Sequence, residues 1–182
     1  MENDLRSLWI LTQSGRTFHP FDPKIEDVDI FDIAHSLSMQ CRYGGHSNKF
    51  YSVAEHSLYV SELVTRENAL WGLLHDATEA YVTDIPSPLK KGIPLWSTVE
   101  NNIMRVICEK FNLSSIEPSE VKHIDTLICN DEMKEIMDGV NIIGDFRSRE
   151  FLNVKINCYD SNKARSLYIN RFFDLMENRN NV

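Results

Sequence analysis

A chain of 182 residues, 42% of them hydrophobic and 25% charged, is long enough to bury one core without disulfide or metal staples, and residues 1–182 read as a single domain. Its 19 basic against 27 acidic side chains give a net charge of −8, which excludes broad electrostatic binding to nucleic acid. A local basic pocket for a small anion stays compatible with that balance. The opening MENDLRSLWILTQSG has no basic stretch followed by a long apolar run, and no segment approaches the roughly 20 apolar residues of a membrane span, so no membrane partner is expected. Cys41, Cys108, Cys129 and Cys158 are scattered without a CxxC pair. They read as reduced packing thiols, and the expected location is the cytoplasm.

Residues 1–28 are rich in turn formers, as in SGRTFHPFDP, and predict loops with one short strand. From DIFDIAHSLSMQ onward helical spacing dominates. In YSVAEHSLYVSELV, Ser52 and Glu55 stand in capping-box register, which starts a helix near Val53. RENALWGLLHDATEAY reads as one helix, followed by a proline-rich loop and a further helix over STVENNIMRVICEKFN. PSEVKHIDTLICNDEMKEIM carries Pro118 near its first turn and predicts a long helix. DFRSREFLNVKINC is ambiguous, and DSNKARSLYINRFFDLME, with Asp160 as N-cap, predicts the last helix. The expected class is all-α, a helical bundle with irregular N-terminal loops.

On a helix turning about 100° per residue, Leu70, Leu73, Leu74, Ala77 and Tyr81 form a core stripe, while His75, Asp76 and Glu79 gather on the opposite side. Gly72 falls on that polar side, where its missing side chain lets another group approach. A solvated helix face would look the same. His56 shares a stripe with Val53, Val60, Leu63 and Val64 and should point inward, as an ordinary hydrogen-bonded core histidine also would. Asp125 lies among Val121, Ile124, Ile128 and Glu132 on the apolar side of its helix. A carboxylate buried there needs a cation, either Lys/Arg or a metal. Two imidazoles and two carboxylates from three helices suit one divalent first-row metal with positions open for water and substrate. Mixed ligands of this kind accept Co, Mn, Zn or Mg and do not choose among them.

His56 in AEHSL, the adjacent His75–Asp76 pair and Asp125 in VKHID resemble the H…HD…D signature of the HD-domain phosphohydrolase superfamily, above all its 5′-deoxynucleotidases and the small phage dATP triphosphohydrolases. Similarity is dense from Asp29 to Lys90 and thinner around Asp125. The adjacent HD pair is common by chance; AEHSL together with HDATEAYVTDIPSPLK is far more specific. The resemblance implies an HD-type helical bundle with His56, His75, Asp76 and Asp125 as metal ligands. It also implies that Glu79, with the HD pair, orients the attacking water, and that Asp84 bonds the sugar 3′-hydroxyl. Pro88 would press on the base, Tyr43 would stack on it, and Lys90 and Arg42 would meet phosphate.

Asp131 rivals Asp125 as the fourth ligand; VKHID and the inward periodicity favour Asp125. Arg16 is a candidate phosphate contact from a neighbouring subunit, and a homo-oligomer is expected. His35 reads as structural, or as a residue supporting the ligands. The sequence departs from the family in two places. Only eighteen residues separate His56 from His75, so the helix between must end early, and Tyr43 stands where the cellular enzymes commonly carry tryptophan. The expected activity is hydrolysis of a 2′-deoxynucleotide at the α-phosphorus, with dATP going to deoxyadenosine plus triphosphate. The alternatives are a 5′-deoxynucleotidase acting on monophosphates and a non-catalytic nucleotide-binding module.

Overall fold

The computed structural model describes residues 5–140 and 144–180, and the chain is mostly helical. A small antiparallel hairpin opens it, pairing β1 (Ile10–Leu11) with β2 (Thr17–Phe18) in the register Ile10 opposite Phe18. Then follow α1 (Ile30–Met39), α2 (Val53–Leu63), α3 (Ala69–Leu74), α4 (Glu79–Val82), α5 (Ser87–Gly92), α6 (Trp96–Lys110), α7 (Ser119–Ile136) and α8 (Ser161–Asn180). The expected all-α class therefore holds, with a two-strand hairpin where one short strand was expected. Among the described residues no helix is long and apolar enough to cross a membrane, and all four cysteines are unbridged.

α2 is the axis of the molecule. Every residue from Val53 to Ser61 is buried, because α1, α3, α7 and α8 pack around it. Its polar members are therefore forced to find partners inside the protein. Ser52 caps α2 as expected, its Oγ accepting the Glu55 amide at 3.1 Å. The capping box is only half formed, since the Glu55 carboxylate turns away from its own helix. It accepts the Tyr59 hydroxyl at 3.0 Å and three successive backbone amides, Asn157, Cys158 and Tyr159, at 3.2, 2.9 and 2.7 Å.

The expected single helix over RENALWGLLHDATEAY is broken between α3 and α4. From His75 to Tyr81 the backbone bonds tighten to three-residue spacing, with Ala77 bonded to Leu74 at 3.0 Å and Glu79 to Asp76 at 3.0 Å. The Gly72 carbonyl, the usual partner of the Asp76 amide in a regular helix, accepts from His75 Nδ1 at 2.8 Å instead. Gly72 serves the crossing of two helices rather than a ligand. A Cβ there would lie 3.1 Å from Ser61 Cα and 3.2 Å from Val64 Cγ2 of the α2 segment.

The ambiguous segment after α7 has a 3-10 turn over Phe146–Ser148 and then extended chain. Two carboxylates hold it. Glu55 grips residues 157–159 as described, and Asp131 accepts the amides of Leu152 at 2.8 Å and Val154 at 3.1 Å. Asp160 then caps α8 through the Lys163 amide at 2.9 Å. α8 backs α2 and α3 through Tyr168, whose hydroxyl donates to the Leu73 carbonyl at 2.7 Å, and Arg171, which donates to the Ser61 carbonyl at 2.8 Å.

Candidate metal centre

α2, the α3–α4 turn and α7 bring their polar residues to one point. His56 Nε2 lies 3.2 Å from His75 Nε2 and 3.0 Å from Asp125 Oδ1, and His75 Nε2 lies 3.7 Å from that same oxygen. Asp76 Oδ2 approaches both rings, at 3.3 Å from His75 Nε2 and 3.6 Å from His56 Nε2. Donor atoms about 2.1 Å from a common ion, at angles of roughly 90–110°, stand about 3.0–3.4 Å apart. The observed spacings bracket that range, so His56, His75 and Asp125 fit one divalent ion, with Asp76 at its edge.

The outer nitrogens settle which atoms face inward. His56 Nδ1 donates to Glu132 Oε1 at 2.6 Å, and His75 Nδ1 donates to the Gly72 carbonyl at 2.8 Å. Both Nε2 lone pairs are thus left for the centre, the usual arrangement behind metal-binding imidazoles. Burial opposes a charge on His75, yet Asp76 and Asp125 outweigh it and hold its pKa well above the ordinary value. For His56, burial and Arg42 also oppose the charge, and Glu132 and Asp125 prevail. The field that draws protons onto these rings is the field that attracts a cation. Asp125 keeps 36% of its side chain exposed. The inward position expected from periodicity is therefore a rim position, which gives the centre a side open to water.

Asp131 faces the 152–154 segment with both oxygens engaged, whereas Asp125 lies with His56 and His75. Glu132 is the residue that sequence reasoning passed over as part of a stripe. It is fully buried and accepts from His56, from the Tyr51 hydroxyl at 2.8 Å and from the Tyr43 hydroxyl. Burial would raise its pKa, but Arg42 and His56 pull it down to about 2. Its signal was present in the sequence: an acidic residue seven positions after Asp125, on the same stripe.

The remaining expected site residues divide. Arg42 lies in the centre with only 11% exposure, but it is committed to carboxylates. Its Nη1 is 3.3 Å from Asp76 Oδ2, and its Nε is 3.4 Å from Glu132 Oε2, an ion pair without hydrogen-bond alignment. Tyr43 adopts φ 59° and turns its hydroxyl to Glu132, with the Arg42 guanidinium 5.4 Å from the centre of its ring. Lys90 sits between Glu79 Oε1 at 3.0 Å and Glu100 Oε1 at 2.8 Å. Pro88 is exposed on α5. Arg16 is on the surface hairpin, paired with Asp29 at 3.4 Å and away from the centre within this chain.

Glu79 is buried, and its Oε2 finds no partner among the described residues. Burial, then Asp76 and Asp84, push its pKa up to about 8. Burial likewise raises the Asp84 carboxyl, against the pull of Arg42. A cleft of about 740 Å³ lies behind Glu79, between the hairpin and α1, lined by Asp32, His35, Gln40 and Thr83 among others. It contains none of the converging donors His56, His75 and Asp125.

No protein-family model matches the chain. It is 42% identical over 128 residues to "Uncharacterized protein YfdR" of Escherichia coli (strain K12), covering 70% of this chain and 72% of that protein. It is 32% identical over 146 residues to an uncharacterized protein of Rhodobacter capsulatus, covering 72% of this chain and 74% of that one. With identity of that order over more than two thirds of each sequence, this chain belongs to the family that includes YfdR and the Rhodobacter capsulatus protein.

Proposed function

We propose that this protein is an HD-type, metal-dependent phosphohydrolase that cleaves 2′-deoxynucleotides at the α-phosphorus. The observation that carries the reading is the convergence of His56 Nε2, His75 Nε2 and Asp125 Oδ1, with both Nδ1 atoms engaged elsewhere. A divalent ion held there, of the Co, Mn, Zn or Mg class, supplies Lewis-acid charge to a phosphoryl oxygen and lowers the pKa of water. Asp76 shares its carboxylate between the imidazoles and Arg42. Glu79, with one buried oxygen unpaired beside Asp76 and Asp84, is placed to accept a proton from an attacking water and to orient it. Asp84 would take the sugar hydroxyl, as the resemblance implies. A pure binding module has no need of a buried Glu79 with one carboxylate oxygen left unpaired.

The resemblance points to dATP, released as deoxyadenosine and triphosphate. One observation favours the alternative, a nucleoside monophosphate. Arg42 and Lys90, the cations expected to meet phosphate, are each already shared between two carboxylates. That leaves little positive charge to offset a triphosphate, unless Arg16 of another copy or a cation carried by the nucleotide provides it. Chromatographic product analysis with Mn²⁺ or Co²⁺ tests both readings. Deoxyadenosine plus triphosphate from dATP supports the triphosphohydrolase, and turnover of deoxynucleoside monophosphates alone supports the nucleotidase. Binding of metal and nucleotide without product would overturn the enzyme reading.

A further inference from the structure

We infer that Gln40 is a positioning residue that fixes Asp84 relative to Glu79 and thereby sets how strongly the sugar 3′-hydroxyl is recognised. The inference deepens the reading above, since it takes Asp84 as the residue that meets the sugar.

Gln40 ends α1, and its side chain reaches the loop that carries both acids. Its Nε2 donates to the Glu79 carbonyl at 2.9 Å and to Ser36 Oγ at 3.1 Å. Its Oε1 accepts the Asp84 amide at 2.9 Å and the Thr83 hydroxyl at 3.1 Å. The carboxamide cannot be turned over, because a flipped group would set oxygen against the Glu79 carbonyl and N–H against the Asp84 N–H. One planar side chain therefore ties the first and last residues of the segment between the two acids.

Between those ties the backbone is strained. Thr83 has φ 67° and ψ 157°, a region populated almost entirely by glycine. A β-branched residue left to itself returns to the extended region, and that rotation would swing Asp84 and its carboxylate out of place. The kink is held from both sides: the Thr83 amide bonds the Glu79 carbonyl at 2.9 Å, and Gln40 grips that carbonyl and the following amide. Gln40 touches none of His56, His75 or Asp125 in any of these bonds, so its influence runs through the loop alone.

The test uses Gln40→Met, which keeps the length and removes all four hydrogen bonds. Mn²⁺ affinity, measured by calorimetry, should stay within about twofold, because the ligands do not depend on Gln40. Amide exchange at Asp84 should accelerate, and the preference for dAMP over 2′,3′-dideoxyadenosine monophosphate, in binding or turnover, should fall about tenfold or more, the scale of one hydrogen bond to a charged group. Adding Thr83→Gly should restore part of that preference, since glycine holds the kink without strain. Gln40→Glu, which still accepts from the Asp84 amide but cannot donate to the Glu79 carbonyl, should keep Asp84 exchange slow. Unchanged exchange at Asp84 in Gln40→Met, or unchanged discrimination with that amide freed, would overturn the inference. If the unmutated protein ignores nucleotides altogether, the functional reading fails on its own. Faster exchange in Gln40→Met would then still support the clamp on the loop.

Discussion

Glu55 of α2 and Glu132 of α7 are both fully buried carboxylates, yet they do different work. Glu55 is met mainly by backbone amides of residues 157–159, so its charge organises chain. Glu132 is met by side chains, His56, Tyr43, Tyr51 and Arg42, so its charge organises the donor cluster. Burial raises the Glu55 pKa, with its backbone partners pulling against it; at Glu132 the cationic partners overcome burial and the pKa falls to about 2. A buried acid is uninformative until its partners are known.

Removing Glu132 should break the centre most severely. Glu132→Ala leaves Arg42 and His56 without their buried counter-charge, which costs on the order of 3–5 kcal/mol in stability. It should also weaken Mn²⁺ binding about 10–100-fold by releasing the His56 ring. Thermal melts and calorimetric titration measure the two effects. Glu55→Gln should instead cost about 1–3 kcal/mol by weakening charge-assisted bonds to the linker. Mn²⁺ affinity should change by no more than about threefold. If Glu55→Gln abolished metal binding at constant fold, the division between the two acids would collapse.

The pH dependence separates them by sign. For Glu132 the folded pKa lies below the unfolded one, so its stabilisation is present above about pH 4.5 and is lost as pH falls toward 2. For Glu55 and Glu79 the folded pKa is raised, so their contribution is present below the unfolded pKa and lost as pH rises through the folded value, about 8 for Glu79. Metal-free Glu79→Gln should therefore gain more stability over the unmutated protein at pH 8 than at pH 5. Equal gains at both pH values, read from melting curves, would remove the support for a buried, proton-holding Glu79.

The smallest effect contrasts two neighbours on α7. Asp131→Asn should cost about 1 kcal/mol, accelerate amide exchange at Leu152 and Val154, and leave Mn²⁺ affinity unaltered. Asp125→Asn should do the reverse, retaining the fold and losing the ion. A loss of metal in Asp131→Asn would reinstate it as the fourth ligand.

The converging donors were legible because they combine a spaced motif with periodicity. His56 had an inward stripe and a capping serine, and Asp125 had a costly position on an apolar face. Glu132 shared that face but no motif, and acidity alone does not distinguish a ligand from the group that supports one. Gln40 was invisible, since three of its four partners lie some forty residues away and two of the four are backbone atoms, which carry no residue identity. The helix break at His75 was missed for a related reason: apolar spacing over 70–81 is nearly the same for an α-helix and for the tighter turns that replace it. The 151–160 segment has no periodic pattern because two distant carboxylates order it rather than its own side chains.

The bond from the Tyr168 hydroxyl to the Leu73 carbonyl joins the last helix to the turn that presents His75. A ribosome has made all of the converging donors by position 125, but the brace behind them arrives only with the final helix. An emerging chain thus carries the full set of donors before it has the scaffold to aim them. Chains arrested before α8 should therefore bind Mn²⁺ weakly even though His56, His75, Asp76 and Asp125 are all present.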